Sequence, residues 1–159
     1  MAHFQTLDTL DVAGKTVLVR VDFNVPMKDG HVTDASRIHR AARTIRELVD
    51  RKAKVVLLSH FGRPKGERVP EMSLAPTVQP LQDALDGRSV GFAEDCVGAP
   101  AERAVAALEP GQVVLLENLR YHNEEEQDDP AFADRLATLG DLYLNDAFSA
   151  AHRAHASVH

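Results

Sequence analysis

With 159 residues and an apolar share of 44%, the chain is long enough for one globular domain with its own core. Its net charge of −6 argues against nucleic acid or an anionic membrane as the main partner, since both favour a basic surface. Cys96 is the only cysteine, which excludes an internal disulfide and favours a reducing cytoplasm. The first residues lack the features of a signal peptide, and the apolar runs are too short to span a bilayer.

Short apolar, β-branched runs alternate with helical patterns along the chain. The runs predict strands at 16–23, 54–58, 89–92, 112–117 and 141–146. Helices are predicted at 34–51, from 73 or 77 to about 85, at 100–108, and from Asp129-Pro130 to a stop at Gly140. Pro80 should kink the second helix or delay its start. This alternation predicts a parallel sheet with helices on both faces, a three-layer, Rossmann-like α/β architecture.

The first predicted helix carries a cation where the helix dipole disfavours one. Asp34 is a candidate cap, and Arg37 follows it in the first turn. A cation in that place suggests an anion nearby, although an exposed and harmless Arg is a serious competing interpretation. The apolar positions follow helical spacing and predict the buried face: Ile38, Ala41, Ala42, Ile45, Leu48 and Val49.

Arginines recur just beyond the ends of the predicted strands. Arg63 follows the strand at 54–58, Arg120 follows 112–117, and Arg153 lies beyond 141–146. In a parallel sheet these ends share one edge, where ligands bind. Each loop alone is more simply a turn with solvated charges, but their recurrence predicts one basic pocket. Arginine suits bidentate contact with phosphate or carboxylate, so the ligand should carry more than one negative group.

Further polar side chains belong to the same edge. His60, His152 and His155 are expected near the rim of the pocket. Asp22 and Asn24 follow the first strand, either as ordinary turn formers or as partners of ligand hydroxyls. The sequence contains no Walker loop, no Gly-x-Gly-x-x-Gly, no His-Glu-x-x-His and no Gly-x-Ser-x-Gly. It therefore predicts no nucleotide site, no metal site and no serine hydrolase.

Five motifs in order along the chain closely resemble the N-terminal part of phosphoglycerate kinase. The motifs are Val-Arg-Val-Asp-Phe-Asn-Val-Pro at 19–26, Ser-Arg-Ile at 36–38, Ser-His-Phe-Gly-Arg-Pro-Lys-Gly at 59–66, Glu-Asn-Leu-Arg-Tyr-His at 117–122, and Asn-Asp-Ala-Phe-Ser-Ala-Ala-His-Arg-Ala-His-Ala-Ser at 145–157. The resemblance implies a glycolytic, cytoplasmic phosphotransferase that moves a phosphoryl group between 1,3-bisphosphoglycerate and MgADP, giving 3-phosphoglycerate and MgATP.

The resemblance also implies which residues bind the substrate. Asp22 and Asn24 would contact the glycerate end, and Arg37 would lie closest to the transferring phosphoryl group as the catalytic residue. The full substrate set that it implies is Asp22, Phe23, Asn24, Arg37, His60, Phe61, Gly62, Arg63, Arg120 and Arg153.

Family members are longer, two-domain proteins. Residues 1–159 would form most of the N-terminal, 3-phosphoglycerate-binding domain, with the sheet incomplete and an open edge near 142–144. The nucleotide and magnesium site would lie on a C-terminal domain absent from this chain, which would be its partner in a monomeric full-length protein. The isolated chain is expected to be inactive. A non-catalytic anion-binding module is the alternative interpretation.

Overall fold

The computed structural model describes residues 12–61, 72–121 and 130–145. Within this part, five parallel strands form one sheet, and a two-stranded hairpin lies beside it. In chain order the strands are β1 (Thr16–Arg20), β2 (Met27–Lys28), β3 (His31–Val32), β4 (Lys54–Leu58), β5 (Val90–Ala93), β6 (Val113–Leu116) and β7 (Leu142–Asn145). The sheet order is β5-β6-β4-β1-β7, so β4 and β1 lie in its interior.

Helices cover both faces of the sheet, which confirms the predicted three-layer architecture. They are α1 (Ser36–Asp50), α2 (Val78–Ala84), α3 (Gly98–Ala106) and α4 (Pro130–Ala137), with 3₁₀ turns at Ala75–Thr77 and Leu119–Tyr121. Helices α1 and α2 pack with Val17 and Val19 on one face, whereas α3 and α4 pack with Leu18 on the other. This alternation follows from the two-residue period of a strand.

The buried face of α1 is the one that the apolar spacing predicts, since all six of the predicted residues are buried. Asp34 lies just before the N-cap position, and its carboxylate accepts the N–H of Ser36 at 2.9 Å. The second helix begins late, as Pro80 requires. It starts as an α-helix at Val78, which leaves Pro80 in the first turn, where its missing N–H costs no intrahelical bond.

Two local predictions were wrong, and one hairpin was not predicted. Strand β1 ends at Arg20 and does not continue to Phe23, because the chain turns at Asp22. The β2–β3 hairpin was not predicted, although Asp29 and Gly30 both adopt the positive φ, 53° and 78°, that a two-residue turn requires. Gly140 is not the C′ stop of α4, which ends at Ala137.

At Gly140 the chain passes very close to strand β1. A Cβ at this position would lie 2.8 Å from Leu18 Cγ and 3.1 Å from the carbonyl oxygen of Thr16. The chain between α4 and β7 therefore passes against β1 too closely for any side chain. Strand β7 pairs with β1 and forms an edge of the sheet within the described residues. No helix in the described segments is long and apolar enough to cross a membrane.

Candidate functional site at the carboxyl edge of the sheet

The carboxyl ends of β1 and β4 bring Arg20 and His60 together. Arg20 is registered opposite Leu58, two residues before His60, so the side-chain alternation of both strands directs the two residues to the same face. Nη2 of Arg20 lies 2.8 Å from Nδ1 of His60. Arg20 is fully buried and His60 is 6% exposed. A guanidinium in such a place requires hydrogen-bond partners, and the imidazole is one of them.

The segment after β1 forms a turn that holds Arg37. One carboxylate oxygen of Asp22 accepts the N–H of Asn24 at 3.2 Å and lies 3.4 Å from Nη1 of Arg37. The same Nη1 donates to the carbonyl oxygen of Asn24 at 2.6 Å. The anion expected beside Arg37 is therefore Asp22 of the same chain. Asp22 thus forms the local turn that its residue type favours and is also the ion-pair partner of Arg37.

The pair of Arg37 and Asp22 is more exposed to water than the buried pair of Arg20 and His60. The side chain of Arg37 is 48% exposed and that of Asp22 is 20% exposed. An ion pair open to water contributes about 0–1 kcal/mol to stability. The ion pair between Arg37 and Asp22 can therefore open at small cost to stability.

Ser59 ties the loops after three strands together. Its hydroxyl oxygen accepts the N–H of Phe23 at 3.0 Å, and the hydroxyl donates to the carbonyl oxygen of His60 at 3.2 Å. Its own carbonyl oxygen accepts the N–H of Leu119 at 3.0 Å. The side chain of Phe23 is fully buried in the core. Phe23 as a whole is inaccessible, and its N–H is bonded to Ser59, so the residue acts as a support beneath the edge.

Asn118 fixes the loop that follows β4. Its Oδ1 accepts the N–H of Phe61 at 3.0 Å, while its Nδ2 donates to the carbonyl oxygens of Phe61 at 2.7 Å and Met72 at 2.9 Å. The side chain thereby connects the two described residues on either side of 62–71. Asn118 is 1% exposed, so the bonds are shielded from water.

Glu117 is buried, and neighbouring residues of the chain donate hydrogen bonds to both of its carboxylate oxygens. It accepts hydrogen bonds from the hydroxyl of Ser73 at 2.6 Å, the N–H of Leu74 at 2.8 Å and the N–H of Asn118 at 2.8 Å. These bonds begin the 3₁₀ turn before α2 and orient Asn118. The group is therefore structural, and among the described residues no cluster of His, Cys, Asp or Glu could hold a metal ion.

A cavity of about 570 Å³ opens beside Arg37. It is lined by Asn24, Val25, Pro26, Asp34, Ser36, Arg37 and Arg40. The hydroxyl of Ser36 donates to Asp34 Oδ1 at 2.6 Å, and this bond, followed by the backbone bond from Ser36, lowers the pKa of Asp34. Asp34 therefore remains ionised at the start of α1, where it offsets part of the positive field.

The structure brings some predicted site residues together and does not describe others. Asp22, Asn24 and Arg37 are in direct contact, and Ser59 and Asn118 join Phe23, His60 and Phe61 to the same edge. The backbone of Arg120 lies in the 3₁₀ turn after β6, beside Leu119, which bonds to Ser59. The predictions at Gly62, Arg63, His152, Arg153 and His155 fall outside the described residues.

Sequence reasoning missed three residues of this edge: Arg20, Ser59 and Asn118. For Arg20 a signal was present, because a charged residue stands inside a strand that is otherwise apolar and predicted to be buried on both faces. Such a charge needs a partner, which points to a polar site near the end of the strand. Ser59 and Asn118 carry no comparable signal, since both residue types are common in turns.

Comparisons with known proteins support one family. The family model described as phosphoglycerate kinase matches residues 7–159. The phosphoglycerate kinase of Agrobacterium fabrum is 61% identical over 159 residues, covering 99% of this chain and 40% of that protein. That of Sinorhizobium medicae is 62% identical over 156 residues, with coverages of 98% and 39%. The chain thus spans about 40% of the length of the curated relatives that it matches.

Solved structures give the same result. The phosphoglycerate kinase from Coxiella burnetii superposes with a TM-score of 0.84 at 38% identity, covering 98% of this chain and 38% of that one. The enzyme from Pyrococcus horikoshii also superposes with a TM-score of 0.84, at 35% identity and with coverages of 95% and 38%.

Proposed function

The chain belongs to the phosphoglycerate kinase family, and from this premise we propose that it supplies the 3-phosphoglycerate side of a phosphoryl transfer. The reaction would move a phosphoryl group reversibly between 1,3-bisphosphoglycerate and MgADP, giving 3-phosphoglycerate and MgATP. The observation that carries the proposal is the position of Arg37 at the start of α1, where its half-exposed guanidinium lies beside Asp22 and Asn24 and lines a cavity of about 570 Å³.

Phosphoryl transfer suits a site of this composition. Such transfer needs little covalent help from the protein and depends on alignment and charge neutralisation. Arg37 would neutralise the transferring phosphoryl group, and its half-exposed guanidinium is held in place by the carbonyl oxygen of Asn24. A ligand phosphate carries more charge than the carboxylate of Asp22 and would replace it as the partner of Arg37.

The remaining roles follow the family pattern. Asp22 and Asn24 would contact the glycerate end, and the backbone of Phe23 and Phe61 would shape the site. The basic patch would be completed by His60, Gly62, Arg63, Arg120 and Arg153. MgATP and MgADP would bind as co-substrates on a second domain outside residues 1–159, with this chain forming most of the first domain. The full-length protein would be a cytoplasmic monomer.

Isothermal titration calorimetry of the chain with 3-phosphoglycerate tests the proposal. We expect binding that weakens as salt rises, because part of the attraction between arginine and phosphate is Coulombic. Arg43→Ala is the matched control, since Arg43 is an exposed arginine of the same helix α1 and does not line the cavity. It should bind as the wild type does, whereas Arg37→Ala should bind a few-fold less tightly. Salt-independent binding of a neutral sugar, with none of the acid, would contradict the proposal.

A further inference from the structure

Arg40 lies three residues beyond Arg37 on helix α1, and both residues line the same cavity of about 570 Å³. Residues three apart in an α-helix lie on one face, separated by about 60° around the axis. Arg43, three residues further on, is separated from Arg37 by about 120° and does not line the cavity. We propose that Arg40 is a second anion-binding residue of this site and that it binds, together with Arg37, one phosphate group of the ligand.

The charged residues that line the cavity differ in whether another residue already binds them. Arg37 donates to the carbonyl oxygen of Asn24 at 2.6 Å. The carboxylate of Asp34 accepts hydrogen bonds from the N–H and the hydroxyl of Ser36. Arg40 is exposed and has no hydrogen bond or ion pair with any residue in the described segments. A ligand can therefore bind Arg40 without displacing a partner among those residues.

The charge of the cavity favours an anion. Its lining contains two arginines and one aspartate, so it is positive in a chain whose net charge is −6. Two guanidinium groups one helical turn apart repel each other, and an anion bound between them removes that repulsion. Phosphate is the better match than a single carboxylate, because it carries more charge and has enough acceptor oxygens for both arginines.

The inference rests on the proposed function for the identity of the acid that carries the phosphate. The joint binding of a phosphate group by Arg37 and Arg40 does not depend on that identity, since inorganic phosphate presents the same oxygens. Inorganic phosphate therefore tests the inference, and 3-phosphoglycerate tests the proposed function.

NMR of the ¹⁵N-labelled chain, titrated with inorganic phosphate, measures the contact through the Nε–H signals of the arginines. Arg37→Ala, Arg40→Ala and Arg43→Ala each identify one signal by its loss. We expect the signals of Arg37 and Arg40 to shift with the same midpoint, and that of Arg43 to remain in place. A shift of Arg37 without one of Arg40, or equal shifts of Arg40 and Arg43, would overturn the inference. The wild-type spectrum decides this without a measurement on any variant's affinity.

The affinity for inorganic phosphate, measured in the same titrations, supplies the second readout. Arg40→Ala should lose about threefold at low salt, the size expected for an exposed charge pair. The loss should shrink as salt rises, because screening weakens the attraction. Arg40→Lys should recover part of the loss, and Arg43→Ala should bind as the wild type does. Equal losses for Arg40→Ala and Arg43→Ala would show a general effect of net charge and contradict a site at Arg40.

The same titrations with 3-phosphoglycerate separate the two proposals. Binding of inorganic phosphate at Arg37 and Arg40, without binding of 3-phosphoglycerate, would contradict the proposed function and support the inference. Binding of 3-phosphoglycerate with an unchanged affinity in Arg40→Ala would contradict the inference and support the proposed function. A folded chain that bound neither anion would contradict both.

Discussion

Two sets of polar side chains meet at the carboxyl edge of the sheet, and they differ in their access to water. The buried network consists of Arg20, Ser59, His60 and Asn118, which are all at most 6% exposed. The exposed pair consists of Asp22 and Arg37, whose side chains are 20% and 48% exposed. The first set is fixed by bonds that no solvent replaces, whereas the second can exchange partners. We infer that the buried network sets the geometry of the site and that the exposed pair responds to the ligand.

Mutations in the two sets should therefore affect different properties of the protein. Leaving a buried polar group without its partner costs about 1–3 kcal/mol, so a change in the buried network should lower stability. An exposed ion pair contributes about 0–1 kcal/mol, so a change in the exposed pair should spare stability and alter function. Mutations in each set test this distinction.

The largest functional effect is expected from Arg37→Ala in the full-length protein that contains residues 1–159. A contact that strengthens in the transition state changes the chemical step, so kcat should fall by about 10²–10³ while KM changes a few-fold. The unfolding midpoint should remain close to that of the wild type. Steady-state kinetics measure the two constants, with Arg43→Ala as control. By comparison, Arg63→Ala and Arg120→Ala should mainly raise KM. A rise in KM alone for Arg37→Ala would show that its role is ground-state binding.

The largest effect on stability is expected from Asn118→Asp. The new carboxylate would face the carbonyl oxygens of Phe61 and Met72, which now accept from the amide Nδ2. Two hydrogen bonds would be lost and a charge buried, which should lower the free energy of unfolding by about 3 kcal/mol. Urea denaturation of the chain measures the change.

The matched control for Asn118→Asp is Gln112→Glu. Gln112 is exposed, and its side-chain oxygen already accepts the N–H of Glu109, a bond that a glutamate retains. This change should alter the free energy of unfolding by less than about 0.5 kcal/mol. If both variants were equally stable, the amide of Asn118 would not be a structural bond and the division between the two sets would fail.

The smallest effect concerns Asp34, which lies on the exposed side of the site. Because hydrogen bonds from Ser36 lower the pKa of Asp34 in the folded chain, ionised Asp34 stabilises the fold above its ordinary pKa of about 3.9. That stabilisation should disappear as pH falls through the lower pKa of the folded state. Ser36→Ala removes the main cause, so its melting temperature should depend less on pH in the acid range. Identical pH slopes for both proteins would refute the assignment.

Many of the helices and strands could be predicted from the sequence, because hydrophobic periodicity determines where they form. The inner face of α1 and the bounds of β4 agree with the sequence patterns residue by residue. Both elements bury a continuous apolar surface, which is the property that the periodicity reports. The late start of the second helix was equally predictable, since Pro80 leaves few alternatives.

The contacts within the site were less predictable because they join residues far apart in sequence. Asn118 bonds to Phe61 across 57 residues, and Arg20 bonds to His60 across 40. Local patterns contain no information on such pairs. Gly140 is a similar case, because its need for a missing Cβ arises from Leu18 on a distant strand. The family resemblance supplied the candidate ligand-binding residues, whereas their buried supports come from the structure.

Backbone amide NMR of the labelled chain, titrated with 3-phosphoglycerate, shows which residues the ligand reaches. We expect saturable shifts at Asn24, Arg37 and Phe61, on the carboxyl edge. We expect none at Gly91 and Phe92, which line a second cavity of about 550 Å³ between β5, β6 and α3. Shifts confined to that second cavity, or an absence of shifts in a folded chain, would contradict the assignment of the site.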